Sequence, residues 1–197
     1  MFNDGFLIYF YDWVVNLLFT LSPVEFLKKL FLFCFNKYEE QKTIERIAVD
    51  IFILFKFAAV FISFFISHKA SILFIAYLCF FNLFTYFYHH IWDGPKRTDL
   101  ASLRRRYANL FQAIFFNILC FASFYNFMNL NLKIDGIYGD ISLSFLNMFL
   151  MGDQLFLVKD FNKNYFIISS LQVLTSFIFF TVILSRTEIK DDHGLQK

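Results

Sequence analysis

Residues 140–153 read DISLSFLNMFLMGD, an apolar piece from Ile141 to Met151 bounded by Asp140 on one side and by Gly152 and Asp153 on the other. A hydrocarbon core of about 30 Å needs about 20 helical residues to cross it. The piece is therefore too short to span a bilayer and too apolar for an ordinary exposed loop. It lies between two long apolar runs, Tyr107 to Phe127 and Tyr165 to Ser185. A short apolar segment bracketed by two spans is expected to dip into the membrane and return to the side it left. Non-helical backbone at that depth is tolerated only where protein or a water-filled cavity satisfies its polar groups. A re-entrant helix ending at Gly152 and Asp153 thus implies a vestibule.

The remainder of the chain fits this setting. Among 197 residues, 58% are hydrophobic and 33 are Phe, which excludes an ordinary soluble domain; 6 Gly and 2 Pro exclude collagenous, linker-like and Gly-rich phosphate-binding sequences. The net charge of +2 is too small to imply nucleic acid, and Cys34, Cys79 and Cys120 have no ligand-like spacing. Neither a disulfide, a metal nor a cofactor is expected. Upstream, Ile47 to Ser67, interrupted by Asp50 and Lys56, and Ala70 to about Trp92 read as a helical hairpin joined at His68 and Lys69. Phe2 to Leu21, which carries Asp12 and Asn16, either spans or lies at the surface. It lacks the basic start and small-residue cleavage site of a signal peptide. Residues 24–35, VEFLKKLFLFCF, read as an interfacial helix or as a simple connector. The expected fold is all-α: a polytopic membrane helix bundle ending in an outer helix, a re-entrant pore loop and an inner helix. Its divisions are N-terminal membrane helices (1–92), a basic linker (93–106), a pore-like domain (107–185) and a tail (186–197).

Sidedness follows from Lys and Arg, which are retained on the cytoplasmic side during insertion. Lys28, Lys29, Lys37, Lys42 and Arg46 lie in one connection, and Lys96, Arg97, Arg104, Arg105 and Arg106 in another. Arg186, Lys190 and Lys197 lie in the tail. The opposite side holds only Lys69, Lys133, Lys159 and Lys163. The C-terminus and both basic connections are therefore expected in the cytoplasm, and Met128 to Asn164 outside. Tyr86, Tyr88, Trp92, Tyr107, Tyr125 and Tyr165 fall near span ends, where amphipathic rings favour the interface.

The last half of the chain, residues 93–186, resembles the pore domain of bacterial two-transmembrane potassium channels. The resemblance rests on Ser102-Leu103-Arg104-Arg105-Arg106-Tyr107 entering an outer helix, on Ile141-Ser142-Leu143-Ser144-Phe145 as a pore helix, and on Gly152-Asp153 closing a filter. Gln172-Val173-Leu174 and the run ending Val182-Ile183-Leu184-Ser185 add an inner helix. The resemblance implies a homo-tetramer around an axis, monovalent cations as ligands and a bacterial inner membrane. The filter departs from the family pattern T-x-G-[YF]-G-D: the same frame is Met148-Phe149-Leu150-Met151-Gly152-Asp153. Selective carbonyl rings need backbone conformations that glycine adopts and that a bulky residue such as Leu150 resists. Potassium-selective conduction is therefore not expected.

At 100° per residue, Ser169, Gln172, Ser176, Phe179 and Ile183 share one side of the last helix. Gln172, Ser176, Phe179 and Ile183 are the expected pore-lining residues, and the alternative is that such polar groups bond across packed helices, the favoured reading for Ser170 and Thr175. Lys56 near the middle of its run is costly alone at membrane depth, and Asp12 is its expected partner. Arg104, Arg105 and Arg106 form a site for anionic lipid. His89, His90 and Asp93 match no metal-ligand spacing. The expected function is that of a pore-loop channel homologue, either weakly selective or non-conducting. The rival is a membrane interaction or scaffold protein whose pore segment has become a packing element. A lipid-acting enzyme ranks last, because no nucleophile with a partner and no paired acid and base are in view.

Overall fold

The computed structural model describes residues 5–35, 41–66, 68–88, 100–129, 132, 134, 136–149 and 163–187; for 5–8, 42, 100–106 and 182–187 only the backbone is described. Of the described residues 91% are helical. They form α1 (Gly5–Thr20), α2 (Pro23–Phe35), α3 (Gln41–Ser63), α4 (Lys69–Phe87), α5 (Leu100–Phe127), α6 (Ile137–Met148) and α7 (Lys163–Thr187). The all-α expectation holds. Among the described residues, three segments are long and apolar enough to cross a membrane: Lys69–Phe87, Tyr107–Phe127 and Lys163–Thr181. The chain is an integral membrane protein built on α4, α5 and α7.

The run beginning at Ile47 does not join these three. Its helix stops at Ser63, short of the expected Ser67, and its apolar part carries both Asp50 and Lys56. The stop is a tightened last turn, in which Phe64 N–H bonds to the Phe61 carbonyl (3.3 Å) and Phe65 N–H to the Ile62 carbonyl (3.0 Å). The next helix starts at Lys69 with His68 as its cap: His68 Nδ1 accepts from the Ala70 N–H at 3.2 Å.

The contacts divide the chain into two compact units, Met1–Ala59 and Val60–Lys197. The division falls within α3; in the second unit α4 packs on α5 and also meets α7. In the first unit, α1 ends at Thr20, whose hydroxyl returns to the Leu17 carbonyl. Ser22 then precedes α2, its carbonyl accepting from the Phe26 N–H at 3.1 Å, and Pro23 occupies the first turn, where a missing N–H costs nothing. No residue of α2 is buried, and Phe26, Leu30 and Phe33 are exposed on one stripe. Lys56 is buried, with its ammonium 5.8 Å from the centroid of the Phe57 ring. Asp12 on α1 is half-buried, and no described contact joins it to Lys56.

The second unit is organised around α5. Asn82 on α4 donates to the Ala113 carbonyl at 3.2 Å, and Ser63 shares a 2.7 Å hydroxyl contact with Ser123. Such small and polar side chains are how membrane helices approach closely where hydrophobic burial discriminates little between lipid and protein. The short α6 packs along α5 and α7. Its first turn is set by Gly136, whose φ of 77° and ψ of −167° suit glycine, and by Gly139, whose backbone meets the preceding chain at Leu132 and Ile134.

Candidate functional site

α6 has 12 residues, about 18 Å of helix, so it cannot cross the core by itself. Its depth can be read from its partners. Ser144 Oγ donates to the Ile118 carbonyl at 2.6 Å. Ile118 lies nine residues before the end of α5, about 14 Å along the helix from Phe127. One turn further along α6, Met148 Sδ is 3.2 Å from Ser176 Oγ, in the second half of the apolar segment of α7. The opposite end of the assembly is marked by the Tyr125 and Tyr165 rings, with centroids 6.1 Å apart. The C-terminal end of α6 thus reaches past the middle of the two flanking helices, and α7 starts level with the end of α5.

A hydrogen-bonded cluster fastens this half-helix. Ser169 Oγ donates to Asn147 Oδ1 (3.3 Å), Asn147 Nδ2 donates to Tyr125 OH (2.9 Å), and Tyr125 OH donates to Gln172 Oε1 (2.9 Å). Gln172 Nε2 in turn donates to the Ser144 carbonyl (2.7 Å) and reaches Ser144 Oγ (2.8 Å). Each helix of the α5, α6, α7 trio supplies part of the chain. A second strand of contacts runs from Thr175 and Ser176, whose hydroxyls donate to the Gln172 carbonyl at 2.8 and 2.9 Å. Thr175 Oγ1 also reaches Asn117 Oδ1, and Asn117 Nδ2 reaches Cys79 Sγ on α4 at 3.8 Å. Beneath the cluster, Met148 joins Leu110, Ala113, Ile118 and Phe179 in an apolar core, and the Phe179 ring lies 5.7 Å from that of Tyr86.

Several expected site residues stand elsewhere than the helical stripe suggested. Gln172 and Ser176 are both 0% exposed within the single chain, and Phe179 is buried with them. A residue lining an axis between subunits would be open on the isolated chain, so these three side chains face α5 and α6 instead of a pore. Met148, placed in the filter frame, is 1% exposed in the apolar core, while Phe149 caps α6 and is exposed. Tyr125 and Tyr165, near the ends of their helices, are buried within the chain. Thr175 bonds across helices as expected, whereas Ser170 is exposed. Ile183 belongs to α7 and Arg104, Arg105 and Arg106 to α5, with backbone alone described. Leu150, Met151, Gly152, Asp153, His89, His90 and Asp93 lie outside the described residues. Among the described residues, no group of His, Cys, Asp and Glu is arranged to hold a metal.

Asp140, in the first turn of α6, is the buried carboxyl of this region, 5% exposed. Burial disfavours its charged form and raises its pKa from 3.8 to about 7. The linkage sign follows. The unfolded chain ionises Asp140 near 3.8 and the folded chain only near 7. The stability associated with the neutral carboxyl is therefore full below about 4 and is lost as pH rises to about 7. Thermal unfolding of the detergent-solubilised protein between pH 4 and 8 is expected to show this decline. Asp140→Asn should flatten the decline and be the more stable form at pH 8; an unchanged slope would remove Asp140 as its source.

The sequence reading missed Asn147 and Tyr125, which join α6 to both spans. The available signal was chemical: Asn117, Asn147 and Gln172 are amides inside apolar runs, and an amide at membrane depth needs partners. No family model, curated protein or solved structure matches the chain, so the buried cluster itself carries the functional reading.

Proposed function

We propose that this protein is a non-conducting membrane protein of pore-loop architecture, acting as an interaction or scaffold element in the bilayer. The observation that carries the reading is the complete burial of Gln172 and Ser176 against α5 and α6, which uses the polar face of the last helix for packing. The burial of Met148 in an apolar core supports it, since a filter residue would border ions. The proposed resemblance to potassium channels is one of architecture, a short helix lying between an outer and an inner helix, and its support is the packing of α6 against α5 and α7. In this reading the membrane is a bacterial inner membrane, and the basic connections and C-terminus face the cytoplasm.

Recording from the folded protein in planar bilayers tests the proposal. The expected result is no current across varied salt and pH, with folding verified by a cooperative thermal transition. A second reading, weakly selective cation passage through a homo-tetramer, draws on one feature. The carbonyl end of α6 lies between the flanking helices past their middle, where its partial negative charge would favour a cation. Reproducible cation currents would establish that reading in place of the first.

A further inference from the structure

A cavity of about 240 Å³ opens between α4, α5 and α7, lined by Ile72, Ala76, Phe121, Phe124, Ile168 and Leu171 among other apolar side chains. These residues come from the first half of α4, the last third of α5 and the first half of α7. All lie near one end of the three candidate spans. From Lys69 to Ala76 is seven residues, about 10 Å of helix, so the cavity occupies a single leaflet. An apolar cavity of about 150 Å³ is already enough for benzene. The larger one here takes a stretch of hydrocarbon chain.

The rim is polar on the stripes that line the cavity. Lys69, Ile72 and Ala76 follow one another at i, i+3 and i+7 on α4, and Asn164, Ile168 and Leu171 at i, i+4 and i+7 on α7. Lys69 and Asn164 are both exposed, one turn above the apolar lining. An ammonium and an amide over a greasy cleft match the two ends of an anionic phospholipid. We infer that the cleft between α4, α5 and α7 is a binding site for one phospholipid, with an acyl chain against Phe121 and Phe124 and an anionic headgroup at Lys69 and Asn164. The site stands independently of whether the protein conducts.

Native mass spectrometry of the full chain in detergent, titrated with phosphatidylglycerol or phosphatidylcholine, tests it. The expected result is one retained lipid, with phosphatidylglycerol preferred about fivefold, the effect of one lysine near a phosphate. Ala76→Phe, at an exposed position inside the cleft, is expected to abolish retention. Leu73→Phe, on the same helix and 71% exposed away from the lining, should leave it intact. Lys69→Gln should erase the headgroup preference while keeping the lipid. Equal retention by the wild type, Ala76→Phe and Leu73→Phe would mean ordinary annular lipid and would overturn the site. Loss in Ala76→Phe counts in its favour only if the variant unfolds at the wild-type temperature. If it unfolds earlier, Leu171→Phe on the opposite wall replaces it under the same criterion. A headgroup preference that survives Lys69→Gln would overturn the assignment of Lys69.

Discussion

Gly139→Ala is expected to destabilise the protein by about 3 kcal/mol or more, the upper range for forced overpacking. A Cβ built on Gly139 would overlap the Ile134 carbonyl oxygen and lie 3.2 Å from Leu132 Cδ1. The near atom is backbone, so no rotamer change can relieve the overlap; either α6 or the chain at Ile134 has to move. Because Ser144, Asn147 and Met148 sit further along the same short helix, displacement at Gly139 is carried to the buried cluster. The measurement is thermal unfolding in detergent, combined with peroxide oxidation mapped by mass spectrometry. Met148 is buried in the native protein and should resist oxidation, and in Gly139→Ala it should become reactive. Gly136→Ala is the control. Nothing lies within 4 Å of a Cβ there, so its cost is only the strain of φ 77°, about 1–3 kcal/mol. A Gly139→Ala protein as stable as Gly136→Ala would show that the close approach to Ile134 is relieved cheaply.

The three apolar spans were legible because composition and length suffice for them: a bilayer-length run with almost no charge has few other solutions. The run after Ile47 misled for the same reason in reverse. Apolar residues continue to Ser67, but backbone hydrogen bonding turns tight after Ser63, and no hydropathy window registers where a helix stops. The short segment of residues 141–151 was correctly set apart by its length. Its helix, however, begins upstream at Ile137, because Gly136 and Gly139 allow the turn and the close approach that start it there.

The inner-helix face illustrates a different limit. Helical periodicity rightly placed Ser169, Gln172, Ser176 and Phe179 together, and the structure keeps Ser169, Gln172 and Ser176 in one cluster. Periodicity says which residues share a face and nothing about what that face meets. Here it meets α6, whose Ser144, Asn147 and Met148 supply the donors, acceptors and bulk that water would supply in a pore. A polar stripe beside a short buried helix has two solutions, a wet axis or a dry clamp. Choosing between them requires the partner side chains, and those come from a segment distant in sequence.

Gln172→Leu separates the two solutions energetically. In the clamp, the substitution removes the acceptor of the Tyr125 hydroxyl and both contacts to Ser144 while keeping similar volume. Interhelical hydrogen bonds in membranes contribute about 0.6 kcal/mol each on average, with about 1.7 as a maximum. Leaving a buried hydroxyl without an acceptor adds to that loss. The expected destabilisation is about 2 kcal/mol, read from thermal or denaturant unfolding in detergent. The cluster also predicts coupling. Once Gln172 is Leu, Tyr125→Phe removes a hydroxyl that has already lost its acceptor, so the double variant should be more stable than the sum of the singles by about 1 kcal/mol. If Gln172 faced water along an axis, leucine there would bury nothing unsatisfied. Stability would then stay within about 0.5 kcal/mol of the wild type, and the two substitutions would add. Additivity with a small single effect would therefore return Gln172 to a solvated surface and remove the clamp as the organising feature of the fold.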